Sequence, residues 1–192
     1  AFQSAGQRCS ALRVLFIQSD IADNVLHMLK GAMASLNVGD PRLLRSDLGP
    51  VIDSGAQKEL QAHIDRMHRE AKFIAKVELD SSCTNGSFIA PHAFEIDSLD
   101  LLTEEVFGPI LHVVRFDSDK LGEVIEQINN TGFGLTLGVH SRIQAFAQKV
   151  FSNTIAGNTY INRNMVGAVV GVNPFGGRGL SGTGPKAGGP NY

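Results

Sequence analysis

Leu12-Arg13-Val14-Leu15-Phe16-Ile17-Gln18-Ser19-Asp20 is the stretch on which the fold turns. Its compact apolar run, residues 12–17, reads as a buried strand, and Asp20 stands where an N-cap would open a helix. Ile21, Val25, Met28, Leu29, Ala32 and Leu36 then recur at helical spacing, which predicts one apolar stripe against a core. A strand running directly into an amphipathic helix is half of a βαβ unit. The expectation is therefore an α/β protein whose sheet is largely parallel and flanked by helices.

Working outward, a Gly/Pro/Asp-rich connection over residues 37–50 precedes a polar helix over 53–72, ending in Arg66, Arg69 and Lys72 as a helix dipole favours. Its charged face reads as solvated, and so do His63 and His68 on it. Residues 73–79 and 88–91 look like short strands, and 110–116 is a stronger, β-branched one. Leu121, Val124, Ile125 and Ile128 predict a helix within 118–130; a strand over 135–140, a helix over 142–151 and a strand over 159–162 follow. From Gly167 onward glycine and proline make the chain loop, with Val169, Val170, Val172 and Phe175 expected to pack down. With no repeat and no flexible linker, 1–192 reads as one domain carrying a long functional loop around 165–176.

Composition narrows the partners. In 192 residues, 17 Lys+Arg against 19 Asp+Glu leave no basic field for a nucleic acid or an anionic membrane, so small ligands are the better fit. No apolar run approaches the ~20 residues of a membrane span, and the chain reads as soluble and cytoplasmic. Cys9 and Cys83 stand far apart with no C-x-x-C pair, so neither a metal site nor a disulfide is expected.

Three motifs carry chemistry. Gly6-Gln7-Arg8-Cys9-Ser10-Ala11 sets a thiol in a small-residue turn before a buried strand, where a backbone N–H can point at whatever the sulfur attacks; a buried, inert thiol is the competing reading. Glu104-Glu105-Val106-Phe107-Gly108-Pro109 joins paired carboxylates to an aromatic and a Gly-Pro break. A carboxylate there can accept both hydroxyls of a ribose and the ring can pack beside it, against the alternative of an exposed acidic helix end. Gly177-Arg178-Gly179-Leu180-Ser181-Gly182 matches G-x-G-x-x-G in letters only. The dinucleotide fingerprint needs a strand before it and a helix opening from it, whereas this stretch runs on through Pro185, Gly188, Gly189 and Pro190, so its glycines are assigned to tight turns and close packing.

In this order, Gly6-Gln7-Arg8-Cys9, Glu105-Val106-Phe107-Gly108-Pro109 and Asn173-Pro174-Phe175-Gly176-Gly177 resemble the nucleophile motif, the cofactor motif and the segment after the substrate-anchoring loop of the aldehyde dehydrogenase superfamily. The stretches 132–142 and 180–190 look most like its 1-pyrroline-5-carboxylate dehydrogenase branch, the C-terminal module of bacterial bifunctional proline utilization proteins. The resemblance implies an NAD-dependent oxidation of L-glutamate γ-semialdehyde to L-glutamate. It implies Cys9 as nucleophile through a thiohemiacetal and a thioester, and Glu105 and Phe107 at the nicotinamide ribose. The α-carboxylate would be gripped by the Gly167 and Ala168 N–H groups with the Ser10 hydroxyl, and Phe175 would cover the aliphatic stem.

The same resemblance implies parts that precede the nucleophile: a Rossmann domain holding most of the NAD, a general-base glutamate and an oxyanion asparagine. None lies within this sequence, so the chain alone is expected to be an inactive fragment whose partner is the N-terminal NAD-binding domain of its parent, itself expected to be a homo-oligomer. FAD is expected only in a separate proline dehydrogenase domain. The alternatives are a non-catalytic module of the same fold, a different aldehyde substrate, or a thiol hydrolase that needs no NAD.

Overall fold

The apolar run folds as β1 (Val14–Gln18) and passes with no intervening residue into α1 (Ser19–Ala34). The computed structural model describes residues 1–192 and divides them into two compact units, Ala1–Ser118 and Asp119–Tyr192.

The first unit is a four-stranded sheet between two helices. α2 (Ser54–Glu70) opens on Asp53, whose side chain accepts from the Ala56 N–H at 2.8 Å, and closes with His68 and Arg69 in its last turn, where cations complement the helix dipole. β2 (Lys72–Lys76), β3 (His92–Glu95) and β4 (Ile110–Phe116) complete the sheet in the order β1-β4-β3-β2. β1 and β3 both run parallel to β4, and β2 joins antiparallel at the edge. The period-two alternation of β4 divides the core. Leu111 and Val113 face the α1 side with Ile17, Ala22, Leu26 and Met33, while Ile110 and Val114 face the α2 side with Leu60, Ile64, Met67 and Phe94. Each such large side chain taken fully out of water contributes about 1.5–3 kcal/mol, so both faces are anchored.

Three local expectations are corrected in this unit. α1 starts at Ser19, one residue before Asp20, so Gln18 occupies the N-cap position and makes no side-chain cap; Asp20 lies in the first turn. The buried stripe of α1 is Ala22, Leu26 and Met33, with Val25 and Leu29 half-buried, while Ile21 and Met28 point to solvent. The stripe turns because small Ala22 fits flush against the sheet where a larger side chain would hold the helix off. Residues 88–91 are not a strand. Pro91 has no N–H to give a ladder, and pairing begins one residue later, where His92 N–H donates to the Pro109 carbonyl.

The second unit contains α3 (Leu121–Asn130), β5 (Phe133–Gly134), β6 (Thr136–Val139), α4 (Gln144–Asn153), β7 (Asn158–Ile161) and β8 (Arg178–Gly179). β6 and β7 pair in parallel across α4, the βαβ pattern the sequence suggests, and β8 returns antiparallel to β5. The G-x-G-x-x-G letters lie in β8 and its turn: Ser181 N–H donates to Arg178 O at 3.1 Å, and Gly179 is left-handed at φ +59° over the Gly132 carbonyl. Close backbone packing accounts for those glycines. Val169, Val170 and Val172 do not pack down; they are exposed on a turn that closes through Val172 N–H to the Val169 carbonyl at 3.0 Å. No helix is long and apolar enough to cross a membrane.

Candidate active site

Topology brings the first two motifs together. The Cys9 turn enters β1 and the Glu105–Pro109 segment enters β4, and since these strands are neighbours and parallel, both loops arrive at the same end of the sheet. Ser4, Ala5 and Gly6 are all left-handed, at φ 54°, 52° and 68°, which turns the chain sharply ahead of the thiol. Ala11 N–H then donates to Arg8 O at 3.0 Å, closing a turn with Cys9 and Ser10 at its centre. Cys9 is exposed and Ser10 is buried. A thiol at the outer corner of a closed turn is open to an electrophile; Cys83, by contrast, is buried and its Sγ meets the Val38 carbonyl at 3.4 Å.

Arg13, which lies outside all three motifs, joins the two loops. Its Nη1 donates to Gly6 O at 2.5 Å, its Nη2 to Arg8 O at 3.0 Å and its Nε to Glu105 Oε1 at 3.0 Å, while the guanidinium lies 4.5 Å from the centre of the Phe107 ring. The signal was present: Arg13 is the one charge within the apolar run 12–17, and a cation at the mouth of a buried strand needs partners. Glu105 and Phe107 each remain partly exposed, so a carboxylate oxygen and a ring face are available at the surface of this loop.

Behind Arg13 lies a second polar array, corrected from the surface position expected of His63. His63 is half-buried and its Nε2 sits 2.9 Å from Nε2 of fully buried His112. Arg66, which can only donate, approaches His63 Nδ1 at 3.5 Å, and His112 Nδ1 lies 3.3 Å from the Arg13 carbonyl. The donor-only guanidinium sets the direction: Arg66 to His63, His63 to His112, His112 to Arg13 O. Burial, then the Arg66 charge, lowers the His63 pKa to about 4; burial, then His63, lowers that of His112 to about 4. Both rings are neutral near pH 7, as this chain of donors and acceptors requires. His68 is exposed, as expected.

In the second unit, two asparagines shape the loop around Gly167 and Ala168. Asn164 Oδ1 accepts from Val166 N–H at 2.9 Å and Asn173 Oδ1 from Val169 N–H at 3.4 Å, the side-chain-to-backbone bonds in which asparagine excels. Between them the N–H groups of Gly167 and Ala168 have no partner, and Arg163 Nη2 donates to Gly167 O at 3.3 Å. Two adjacent free N–H donors beside a guanidinium suit an anion. Phe175 is half-buried, its backbone paired both ways with Ala187. Asn158 Nδ2 donates to Leu135 O and Gly176 O, tying β7 to the segment after Phe175.

The sequence model of the aldehyde dehydrogenase family matches residues 1–192, and the chain belongs to that family. Among its relatives, the bifunctional protein PutA of Escherichia coli is 54% identical over 197 aligned residues, which cover 100% of this chain and 15% of that protein. The 1-pyrroline-5-carboxylate dehydrogenase of Geobacillus thermodenitrificans is 39% identical, covering all of this chain and 37% of that one. The crystal structure of a mutant of Bradyrhizobium japonicum proline utilization A matches with a TM-score of 0.95 at 55% identity, over 100% of this chain and 19% of the other. That of a Thermus 1-pyrroline-5-carboxylate dehydrogenase with bound NAD matches at 0.85 and 34% identity, over 95% of this chain and 35% of the other. The chain thus spans 15% of the length of the E. coli relative.

Proposed function

We propose that this chain is the nucleophile-bearing catalytic portion, as one functional domain over 1–192, of an NAD-dependent dehydrogenase that oxidises L-glutamate γ-semialdehyde to L-glutamate. The observation that carries this reading is the exposed Cys9 turn held to the Glu105–Phe107 loop by Arg13. High identity to PutA and to 1-pyrroline-5-carboxylate dehydrogenases over the whole chain supports the substrate.

The Cys9 thiolate adds to the aldehyde carbon, forming a C–S bond and an alkoxide that the Cys9 N–H stabilises. NAD⁺, when bound, accepts the hydride lost from that carbon. Cys9 then holds a thioester, which water cleaves to glutamate and the free thiol. Glu105, with Oε1 engaged by Arg13, would offer its other oxygen to the ribose hydroxyls of the cofactor, and Phe107 would pack beside the sugar; a partly exposed carboxylate and ring fit that group. The N–H groups of Gly167 and Ala168 receive the α-carboxylate of the substrate, and Phe175 of the same unit lies along its methylenes. Cytoplasmic residence, an NAD-binding domain elsewhere in the parent and FAD in a separate domain of that parent belong to the same reading.

The test is NADH formation from glutamate semialdehyde by the intact protein carrying this chain. Cys9→Ala is expected to reduce the rate by at least about 1,000-fold, the scale of losing a nucleophile. Turnover near the parental rate, or turnover with NAD omitted, contradicts the reading.

A further inference from the structure

We infer that Arg13 is a positioning residue for this reaction: one guanidinium sets both the turn that carries Cys9 and the orientation of the Glu105 carboxylate. The inference rests on the roles given to Cys9 and Glu105 above.

Arg13 spends its donors on three acceptors from two loops. Gly6 O and Arg8 O lie on either side of the approach to Cys9, and Glu105 Oε1 lies on the loop entering β4. Arg8 O is also the acceptor that closes the Cys9 turn through Ala11 N–H, so the guanidinium grips the atom on which the turn depends. The side chain is only 18% exposed and its flat face is covered by Phe107, so the geometry has few alternatives. Its own backbone is fixed in turn, since the Arg13 carbonyl accepts from His112 N–H at 3.1 Å.

Two consequences follow. Engaging Oε1 leaves the other carboxylate oxygen to accept hydroxyls, so Arg13 determines which oxygen meets the cofactor. A shift of the carboxylate is carried through one rigid planar group to the Gly6 and Arg8 carbonyls, and so to the thiol. Lysine does not substitute, because an ammonium on a flexible stem keeps the charge but lacks the planar fork that reaches three acceptors at fixed angles.

The experiment uses the intact protein with Arg13→Met, Arg13→Lys and Glu105→Gln. It reads the KM for NAD, the rate of Cys9 alkylation by iodoacetamide resolved by peptide mass spectrometry, and the melting temperature. Arg13→Met is expected to raise the KM for NAD at least tenfold and to shift the alkylation rate at least fivefold. Arg13→Lys is expected to recover part of the KM but not the alkylation rate. Glu105→Gln is expected to raise the KM while alkylation stays within twofold. Arg13→Met with both readouts within twofold of the parent overturns the inference. So do changes that vanish when assays are run well below the variant's melting temperature, since those report stability alone. If Arg13→Met does not fold, parental values on both readouts in Arg13→Lys overturn it. Alkylation needs no turnover, so it still reports on Arg13 if the Cys9→Ala assay contradicts the functional reading.

Discussion

Gly6 lies against the backbone of Gly108 so closely that a Cβ on Gly6 would fall 2.5 Å from the Gly108 carbonyl carbon, and Gly6 is itself left-handed at φ +68°. The Cys9 loop and the Glu105–Phe107 loop thus meet backbone to backbone, and glycine satisfies both the space and the conformation. Gly6→Ala adds the cost of a left-handed alanine to that of overpacking, about 2–4 kcal/mol together, and is expected to lower the melting temperature by roughly 5–15 °C. Thermal unfolding followed by circular dichroism checks it. A melting temperature within a degree of the parent would show that this contact does not constrain the fold.

Acid is expected to destabilise the first unit through the histidine pair. His63 and His112 each titrate at about 4 in the folded chain against an ordinary 6.5, with burial the larger cause in both. The unfolded chain therefore takes up protons as pH falls through 6.5 while the folded chain resists until about 4. Stability from this source is complete above about pH 6.5 and is lost progressively from there down to about pH 4. Glu70, which raises the His63 pKa, and Arg66 and Arg13, which lower it at their neighbours, bear on the pair but do not reverse the sign. Melting temperatures at pH 7.5 and pH 5 are expected to differ less in His63→Gln/His112→Asn than in the parent. An unchanged difference contradicts the assignment.

Gly167 and Ala168 are expected to select for a carboxylate-bearing aldehyde. Replacing Ala168 with Leu, or Gly167 with Val, crowds the two free N–H groups and costs a charge-assisted hydrogen bond of about 1.5–3 kcal/mol, roughly ten- to a hundredfold in KM for glutamate semialdehyde. A simple aliphatic aldehyde has nothing to lose there and is expected to change little. Equal losses on both substrates in steady-state assays argue against an anion anchor.

The sequence was legible where a rule is local. β4 falls on residues 110–116 as the β-branched run indicates, and α3, α4, β6 and β7 fall within two residues of their apolar periodicity. It was less legible where packing chooses between similar stripes, as in α1, where small Ala22 faces the sheet in place of Ile21. It failed at 88–91, where apolar composition suggests a strand but Pro91 delays the ladder. The site divides the same way. Cys9, Glu105 and Phe107 stand in contiguous motifs that can be read from the letters. Arg13, His63 and His112 meet partners distant in sequence: the β1–β4 pairing brings Arg13 to Glu105 across 92 residues, and the packing of α2 on the sheet brings His63 to His112 across 49. Asn164 and Asn173 were readable in principle, since an asparagine on either side of a small-residue loop is a common way to hold its backbone.

Trapping the covalent intermediate decides whether Cys9 is the nucleophile. The intact protein is mixed with NAD and glutamate semialdehyde, quenched in acid within the first turnover, digested and examined by mass spectrometry. A glutamyl thioester is expected on the peptide containing Cys9, absent without NAD and absent in Cys9→Ala. NADH production with no acyl group on Cys9, or with the acyl group on Cys83, would contradict it.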